Sequence, residues 1–312
     1  MREIKVSVVI PTYNKKERLE LVLTSFKHQE ADNYLFEIII IDDGSSDGTR
    51  ELISDFKCNF PLKYIFQKNK GRSHARNKGI MESVGELIIF CDDDLIVPKK
   101  FILSHIREHT VLGESGIVHG QIYNLPYLKF FKNPTSGEVY PNIRTDGFSM
   151  DFIKQHLLSK ADMINMNKVY AQKKVTAFEK LIQMSFDKEI KELQWLSFTG
   201  GNVSCPRNLL LEIGLFDESF GIKWGCEDLE LGYRLFLNHK RFIYSKEACN
   251  FHLAHFRSTF REEVLESNKK FYMKHNDPCI KYLYLLLLEE IKDLEEYLSY
   301  ISKHTEVSEG NL

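Results

Sequence analysis

The first third of the chain alternates apolar runs with amphipathic stretches. Residues 6–10 form an apolar run broken only by Ser7, and Pro11 is expected to stop the strand that they predict. Leu19, Val22, Leu23 and Phe26 then recur at helical spacing. A second strand is predicted over residues 36–41, ending in Asp42-Asp43-Gly44, with a helix around Leu52, Ile53 and Phe56. Residues 62–66 predict a third strand and residues 73–84 a helix. Residues 87–90 predict a fourth strand, which runs into Asp92-Asp93-Asp94. Pro98 opens a helix through Phe101, Ile102 and Ile106. Strands this apolar, separated by helices, imply an α/β fold whose mostly parallel sheet is covered on both faces. Ligands in such sheets bind beyond the carboxyl ends of the strands. Thr12-Tyr13-Asn14, Asp42-Asp43 and Asp92–Asp94 all fall there.

The pattern then changes. Residues 123–146 are rich in aromatics, Pro, Asn and Gly and read as an irregular excursion, while residues 152–193 read as mostly helical. Short helices are expected at 208–213 and 226–237 and a last strand at 242–244, followed by helix from beyond His255 to about residue 304. No internal repeat is present.

Composition narrows the class of partner. The 312 residues are 43% hydrophobic and 28% charged, as in a globular protein. Forty-two Lys and Arg against 44 Asp and Glu give a net charge of −2, so no nucleic-acid partner is expected. The six cysteines, Cys58, Cys91, Cys205, Cys226, Cys249 and Cys279, form no C-x-x-C pair, so free thiols in a reducing compartment are expected rather than a zinc site. The start of the chain reads as a strand with charges rather than as a leader, and its longest apolar block covers only residues 282–288. A bilayer span needs about 20 residues. A cytoplasmic location is therefore expected, with peripheral contact at the inner face of a membrane left open.

Several clusters carry candidate chemistry. Asp92 and Asp94, at alternate positions after a strand, are placed to share one hard divalent cation such as Mg²⁺ or Mn²⁺. A carboxylate of Asp42-Asp43 is placed to accept a hydrogen bond from a nucleobase or ribose, unless the segment is only a turn and helix cap. Gly71-Arg72 and Arg76, at a helix start, suit a phosphate. Glu227-Asp228 begin a helix after Trp224-Gly225-Cys226, where a partly buried carboxylate is suited to general-base work. His252 and His255 lie three residues apart.

Together these segments resemble family 2 glycosyltransferases of the GT-A fold. The resemblance rests on Val8-Val9-Ile10-Pro11-Thr12-Tyr13-Asn14, Ile41-Asp42-Asp43-Gly44-Ser45-Ser46-Asp47, and Asn69-Lys70-Gly71 followed by Ala75-Arg76-Asn77. Asp92-Asp93-Asp94 falls at the family's DxD motif, and Gly200-Gly201-Asn202 with Gly214-Leu215-Phe216-Asp217-Glu218 at its acceptor-side segment. Trp224-Gly225-Cys226-Glu227-Asp228 resembles the WGxED helix of galactosyl- and N-acetylgalactosaminyltransferases. The resemblance implies a metal-dependent, inverting transfer of a sugar from a nucleotide-sugar, most often a UDP-sugar. The acceptor would be a saccharide, lipid-linked saccharide or peptide, as in polysaccharide biosynthesis. Pro11, Thr12, Tyr13, Asn14, Asp42, Asp43, Arg76, Asp92, Asp93, Gly200, Gly201 and Asn202 would bind the donor, with Asp43 on the base. Asp94, Asp92 and His255, or His252 in its place, would hold Mn²⁺ or Mg²⁺. Asp228 would be the general base, and Glu227 and Trp224 would meet the acceptor.

The implied division is a GT-A catalytic domain over 1–255 and a helical C-terminal extension over 256–312. Within the domain, 1–115 would bind the nucleotide-sugar and 116–255 the acceptor, with a helical insertion at about 125–194. The extension packs on the domain, pairs two subunits or meets a membrane. Two features depart from the family pattern: Leu95 stands where an acid often follows the DxD pair, and residues 125–193 match nothing. The rival readings are a non-catalytic nucleotide-sugar-binding scaffold and a sugar-phosphate nucleotidyltransferase. The second would need a Gly- and Arg/Lys-rich loop after the first strand, which Pro11-Thr12-Tyr13-Asn14 lacks. The absence of G-x-G-x-x-G there also argues against a dinucleotide-binding oxidoreductase.

Overall fold

The computed structural model describes residues 5–32, 35–112, 116–141 and 143–309, the last four as backbone only. Its strands are β1 (Val6–Thr12), β2 (Phe36–Asp42), β3 (Leu62–Phe66), β4 (Leu87–Cys91), β5 (Leu95–Ile96), β6 (Gly116–Asn124), β7 (Lys174–Val175), β8 (Asn202–Pro206) and β9 (Arg241–His252). They form one sheet in the order β3-β2-β1-β4-β8-β6-β9-β5, with β7 on β6. The first four are parallel, as the apolar runs predict, and β6 and β9 are also parallel. The short strand β8 joins the two groups and is antiparallel to both.

Pro11 does not stop β1. The strand continues to Thr12, with Pro11 opposite Ile41. Its pairing with β4 ends at Val9–Phe90, so the missing proline N–H falls past the end of that ladder. The excursion after residue 123 is also more ordered than expected: β6 runs to Asn124, and a 3₁₀ turn covers Pro126–Phe130. The stretch from 152 to 193 is broken into short helices and β7, with one longer helix at Ala177–Asp187.

Two large apolar cores flank the sheet. One packs the Lys16–Phe26 helix and Phe101 against Val8, Ile10 and Ile38. The other gathers Phe90, Trp195, Leu231, Phe271, Leu286 and Tyr297. The C-terminal helices thus share a core with the Glu227–Leu237 helix, and Trp195 meets Tyr233 and Phe271 edge-on at 5.3 and 5.9 Å. Among the described residues, no helix is long and apolar enough to cross a membrane.

Candidate active site

A cleft of about 350 Å³ opens beyond the carboxyl ends of β1, β2 and β4. Pro11, Thr12, Tyr13, Asp43, Asp92 and Asp93 line it, as expected of donor-binding residues. The Tyr13 ring is 49% exposed, available for stacking. Asp43 accepts from Gln67 Nε2, Lys70 N and Gly71 N at 2.8–2.9 Å, which folds residues 67–71 around one carboxylate. Gly71 sits at φ +95°, and a Cβ there would lie 1.8 Å from the Gly221 oxygen. Only glycine lets the 221–222 segment close over the start of the Arg72–Glu82 helix.

Two expected donor residues face elsewhere. Asp42 is buried and accepts from Ser45 N at 2.8 Å and Tyr64 Oη at 2.6 Å, so it anchors the turn after β2. The Asn14 side chain accepts from Ser46 N and likewise ties two loops together.

The three acids after β4 do not continue as a strand. Leu95 N donates to the Asp92 oxygen at 3.2 Å, and the turn sends the three carboxylates in different directions. Asp92 pairs with Arg76 Nη2 at 3.0 Å. Asp93 accepts from Thr12 Oγ1 at 2.8 Å and pairs with Lys15 at 3.3 Å. Asp94 also pairs with Lys15, and it faces His252 Nε2 and His255 Nε2, each at 3.6 Å. The expectation that Asp92 and Asp94 share a cation is therefore corrected. Among the described residues, the group able to hold one is Asp94, His252 and His255, whose ligand atoms lie within 4.8 Å of one another.

The chemistry of this group fits a divalent cation that accepts both oxygen and nitrogen, such as Mn²⁺. Burial alone would raise the Asp94 carboxyl, but Lys15 and the two histidines hold it well below its ordinary range. Burial, with Lys15 next, pushes His255 down to about 2, which leaves a neutral imidazole. An ionised carboxylate beside a neutral imidazole is the ligand state that a metal requires. Asn124 Oδ1 lies 3.1 Å from His252 Nδ1 and fixes that ring with Nε2 toward Asp94.

The second cluster lies behind Asp92 and is centred on Arg76. Arg76, though expected at the donor, is only 1% exposed. It reaches Asp92 through Nη2 and Glu227 Oε1 through Nη1, both at 3.0 Å. Burial opposes its charge, but Asp92, Glu227 and Asp228 together keep its pKa above the usual value. Glu227 Oε2 is buried without a hydrogen-bond partner. Burial, reinforced by Asp228 and opposed by Arg76, raises the Glu227 carboxyl to about 7. Asp228 accepts from Gly200 N at 2.9 Å and from its own helix at Leu229 N, and burial raises it too, against Arg76.

Gly200 and Gly201 underlie this cluster. A Cβ on Gly200 would lie 2.3 Å from the Arg76 guanidinium. Asn202 is a correction: it is fully buried in the sheet, donating to the Ala248 oxygen at 2.8 Å and meeting His105 Nε2 at 3.0 Å. It supports the strands rather than facing the cleft. Trp224 stands at the rim, against Phe260 at 5.1 Å and under the Arg257 guanidinium at 5.1 Å.

Sequence reasoning missed the cations and props of the site. Lys15 and Arg257 line the cleft beside Arg72, which alone of the three stood among the phosphate candidates. Buried Arg18 donates to the oxygens of Phe131, Lys132, Leu253 and Ala254 at 2.8–3.3 Å. Ser267, in the Phe260–His275 helix, accepts from Cys226 N at 2.7 Å and so props the start of the Glu227–Leu237 helix. Only the position of Lys15 just after the first strand, and of Arg257 two residues past His255, pointed toward them.

Comparison with known proteins adds the family. The model of glycosyl transferase family 2 matches residues 7–171. The uncharacterized glycosyltransferase YfnE of Bacillus subtilis is 30% identical over 81% of this chain. The chain spans 65% of that relative's length and 52% of that of a Streptomyces hygroscopicus validoxylamine A glucosyltransferase. Among solved structures, the mannosyltransferase PcManGT from Pyrobaculum calidifontis, in complex with GDP-Man and Mn²⁺, aligns with a TM-score of 0.58 at 16% identity. That alignment covers 92% of this chain and 70% of that one. S. aureus TarS 1–349 in complex with UDP-GlcNAc aligns with a TM-score of 0.57 at 16% identity, covering 90% and 72%.

Proposed function

Since the chain belongs to glycosyl transferase family 2, we propose that it moves a sugar from a nucleotide-sugar to a saccharide-type acceptor in a metal-dependent, inverting displacement. The observation that carries this reading is a pair of unlike carboxylate clusters tied to the acids lining the cleft, Asp94 through the Lys15 that it shares with Asp93 and Glu227 through the Arg76 that it shares with Asp92. Asp94 is held ionised beside two histidines, and Glu227-Asp228 are raised toward neutrality by burial. One suits a cation, the other a proton.

Tyr13 and Asp43 take the base. Arg72 and Arg257 are the cations that face the diphosphate. Asp94, His252 and His255 hold Mn²⁺ or Mg²⁺, which when bound offsets charge growing on the leaving diphosphate. Asp92, fixed by Arg76, faces the donor sugar. The acceptor oxygen attacks the anomeric carbon from the face opposite the diphosphate, which departs with the electron pair of the broken bond. Asp228, the more exposed of the two acids, takes the acceptor proton. Glu227 orients the acceptor and Trp224 borders its entry. The solved neighbours in complex with GDP-Man and Mn²⁺ and with UDP-GlcNAc support a nucleotide-sugar donor and Mn²⁺. A UDP-sugar is the first donor to try, and a GDP-sugar the second.

The test is nucleoside diphosphate release from a panel of UDP- and GDP-sugars, with Mn²⁺ or Mg²⁺ and with chelator. Slow, metal-dependent release from one donor is expected. No release and no thermal shift with any donor overturns the proposal. Donor binding with no release under any acceptor would instead favour the scaffold reading.

A further inference from the structure

We propose that Phe256 and Tyr140 form a stacking platform for a sugar ring of the acceptor, next to the candidate metal group of Asp94, His252 and His255. This rests on the transferase reading above and adds the site that the reading leaves open.

The platform is built from the loop between β9 and the Phe260–His275 helix. His255 turns inward to Asp94, while the next residue, Phe256, turns outward and is 54% exposed. A large apolar ring left in water is unfavourable by roughly 25 cal/mol per Å² of apolar surface. Its ring lies 6.1 Å from that of Tyr140, at 52°, and Tyr140 comes from the irregular segment that follows β6. The Tyr140 hydroxyl makes no hydrogen bond among the described residues, so the pair offers an apolar face and a free polar edge. One residue further on, Arg257 lines the cleft and covers Trp224. The same six-residue stretch thus runs from a candidate metal ligand, through the exposed ring, to a cation lining the donor cleft.

The two halves of the platform are also locked together. The Arg18 guanidinium binds the oxygens of Phe131 and Lys132 on the excursion and those of Leu253 and Ala254 on the histidine loop. Four bonds from one rigid fork hold both supports before any ligand arrives, and such preorganisation lowers the cost of binding. The occupant suggested by this chemistry is a pyranose. Its C–H face carries slight positive charge and packs on the negative face of an aromatic ring, while its hydroxyls need polar neighbours. Tyr140 and Arg257 provide them. Two rings beside a charged cleft are too small and too polar a surface for a lipid chain.

The test uses the whole chain with UDP and Mn²⁺, and cellobiose, lactose, maltose and N,N′-diacetylchitobiose as probes, read by saturation-transfer NMR and titration. At least one disaccharide is expected to bind. Phe256→Ala and Phe256→Leu should weaken it about tenfold or more, whereas Phe256→Tyr, which keeps the ring face, should retain it. Tyr140→Ala should weaken it by a smaller factor. Acceptor-free hydrolysis of the donor should not change in these variants. Equal binding by wild type and Phe256→Ala overturns the platform. So does failure of all four probes to bind while donor hydrolysis proceeds, a result that would move the site toward a peptide or lipid. Loss of donor hydrolysis in the wild type itself would count against the transferase reading, and the disaccharide titrations would still decide the platform.

Discussion

The two acid clusters around Asp94 and around Glu227 meet the same problem, a carboxylate taken out of water, with opposite results. Asp94 keeps its charge because Lys15 and two histidines face it. Glu227 and Asp228 are opposed by Arg76, which is shared with Asp92, and Glu227 also by Arg72, yet burial prevails and both acids are raised. The balance between burial and the groups that face each carboxylate, rather than depth of burial alone, separates a fixed negative charge from a titrating one. A fixed charge attracts a metal; a titrating one exchanges a proton near neutral pH.

Four experiments would break or sharpen that contrast, taken from the largest expected effect down. Asp228→Asn removes the proton acceptor without changing its shape, and transfer should fall by about 10²–10⁴-fold. Donor affinity, measured by titration with the nucleoside diphosphate, should stay near wild type; retained turnover would shift the base to Glu227. Arg76→Met leaves two buried acids without their cation and should cost about 3–5 kcal/mol in chemical denaturation. A loss well below that would mean that the acids are already mostly neutral. His255→Ala should weaken Mn²⁺ binding by about tenfold or more in calorimetry while leaving nucleoside binding without metal intact. Unchanged affinity would remove His255 from the metal group.

The fourth concerns pH. Glu227 titrates near 7 in the fold against 4.5 in the open chain. Between those values the folded state binds more protons than the unfolded one, so Glu227 makes stability fall as pH rises through that window. Thermal midpoints between pH 5 and 8 should therefore decline less steeply in Glu227→Gln than in wild type. Parallel slopes would show that Glu227 is already ionised.

The legible parts of this molecule are those where one residue type has one use. The apolar runs of β1 to β4 have no other home than a covered sheet, and of the acids at their ends Asp43, Asp92 and Asp93 line the cleft. The strands β6 and β8 were missed because their buried faces are polar. Ser204 lies 2.8 Å from both His105 and His109, and buried His119 meets Glu179 at 3.2 Å. Such residues read as loop in a sequence, since their partners lie on distant segments. The β9 strand was recognised only at residues 242–244, because exposed Lys246 and Glu247 interrupt its apolar pattern. Lys15, Arg18 and Arg257 were passed over for the opposite reason: lysine and arginine are ordinarily surface residues, and only the fold shows what they face. The mistaken pairing of Asp92 with Asp94 came from assuming that the strand continued where the chain turns.

Arg76 has one more consequence. Its two nitrogens join the turn after β4 to the first residue of the Glu227–Leu237 helix, so the proposed donor and acceptor sides would share one guanidinium. Whatever draws Asp92 away from Arg76 leaves more of that charge to Glu227 and lowers its proton affinity. Thermodynamic linkage makes the exchange reciprocal. A ligand that engages Asp92 would be felt as a released proton, and a change of pH would be felt as a change in that ligand's grip.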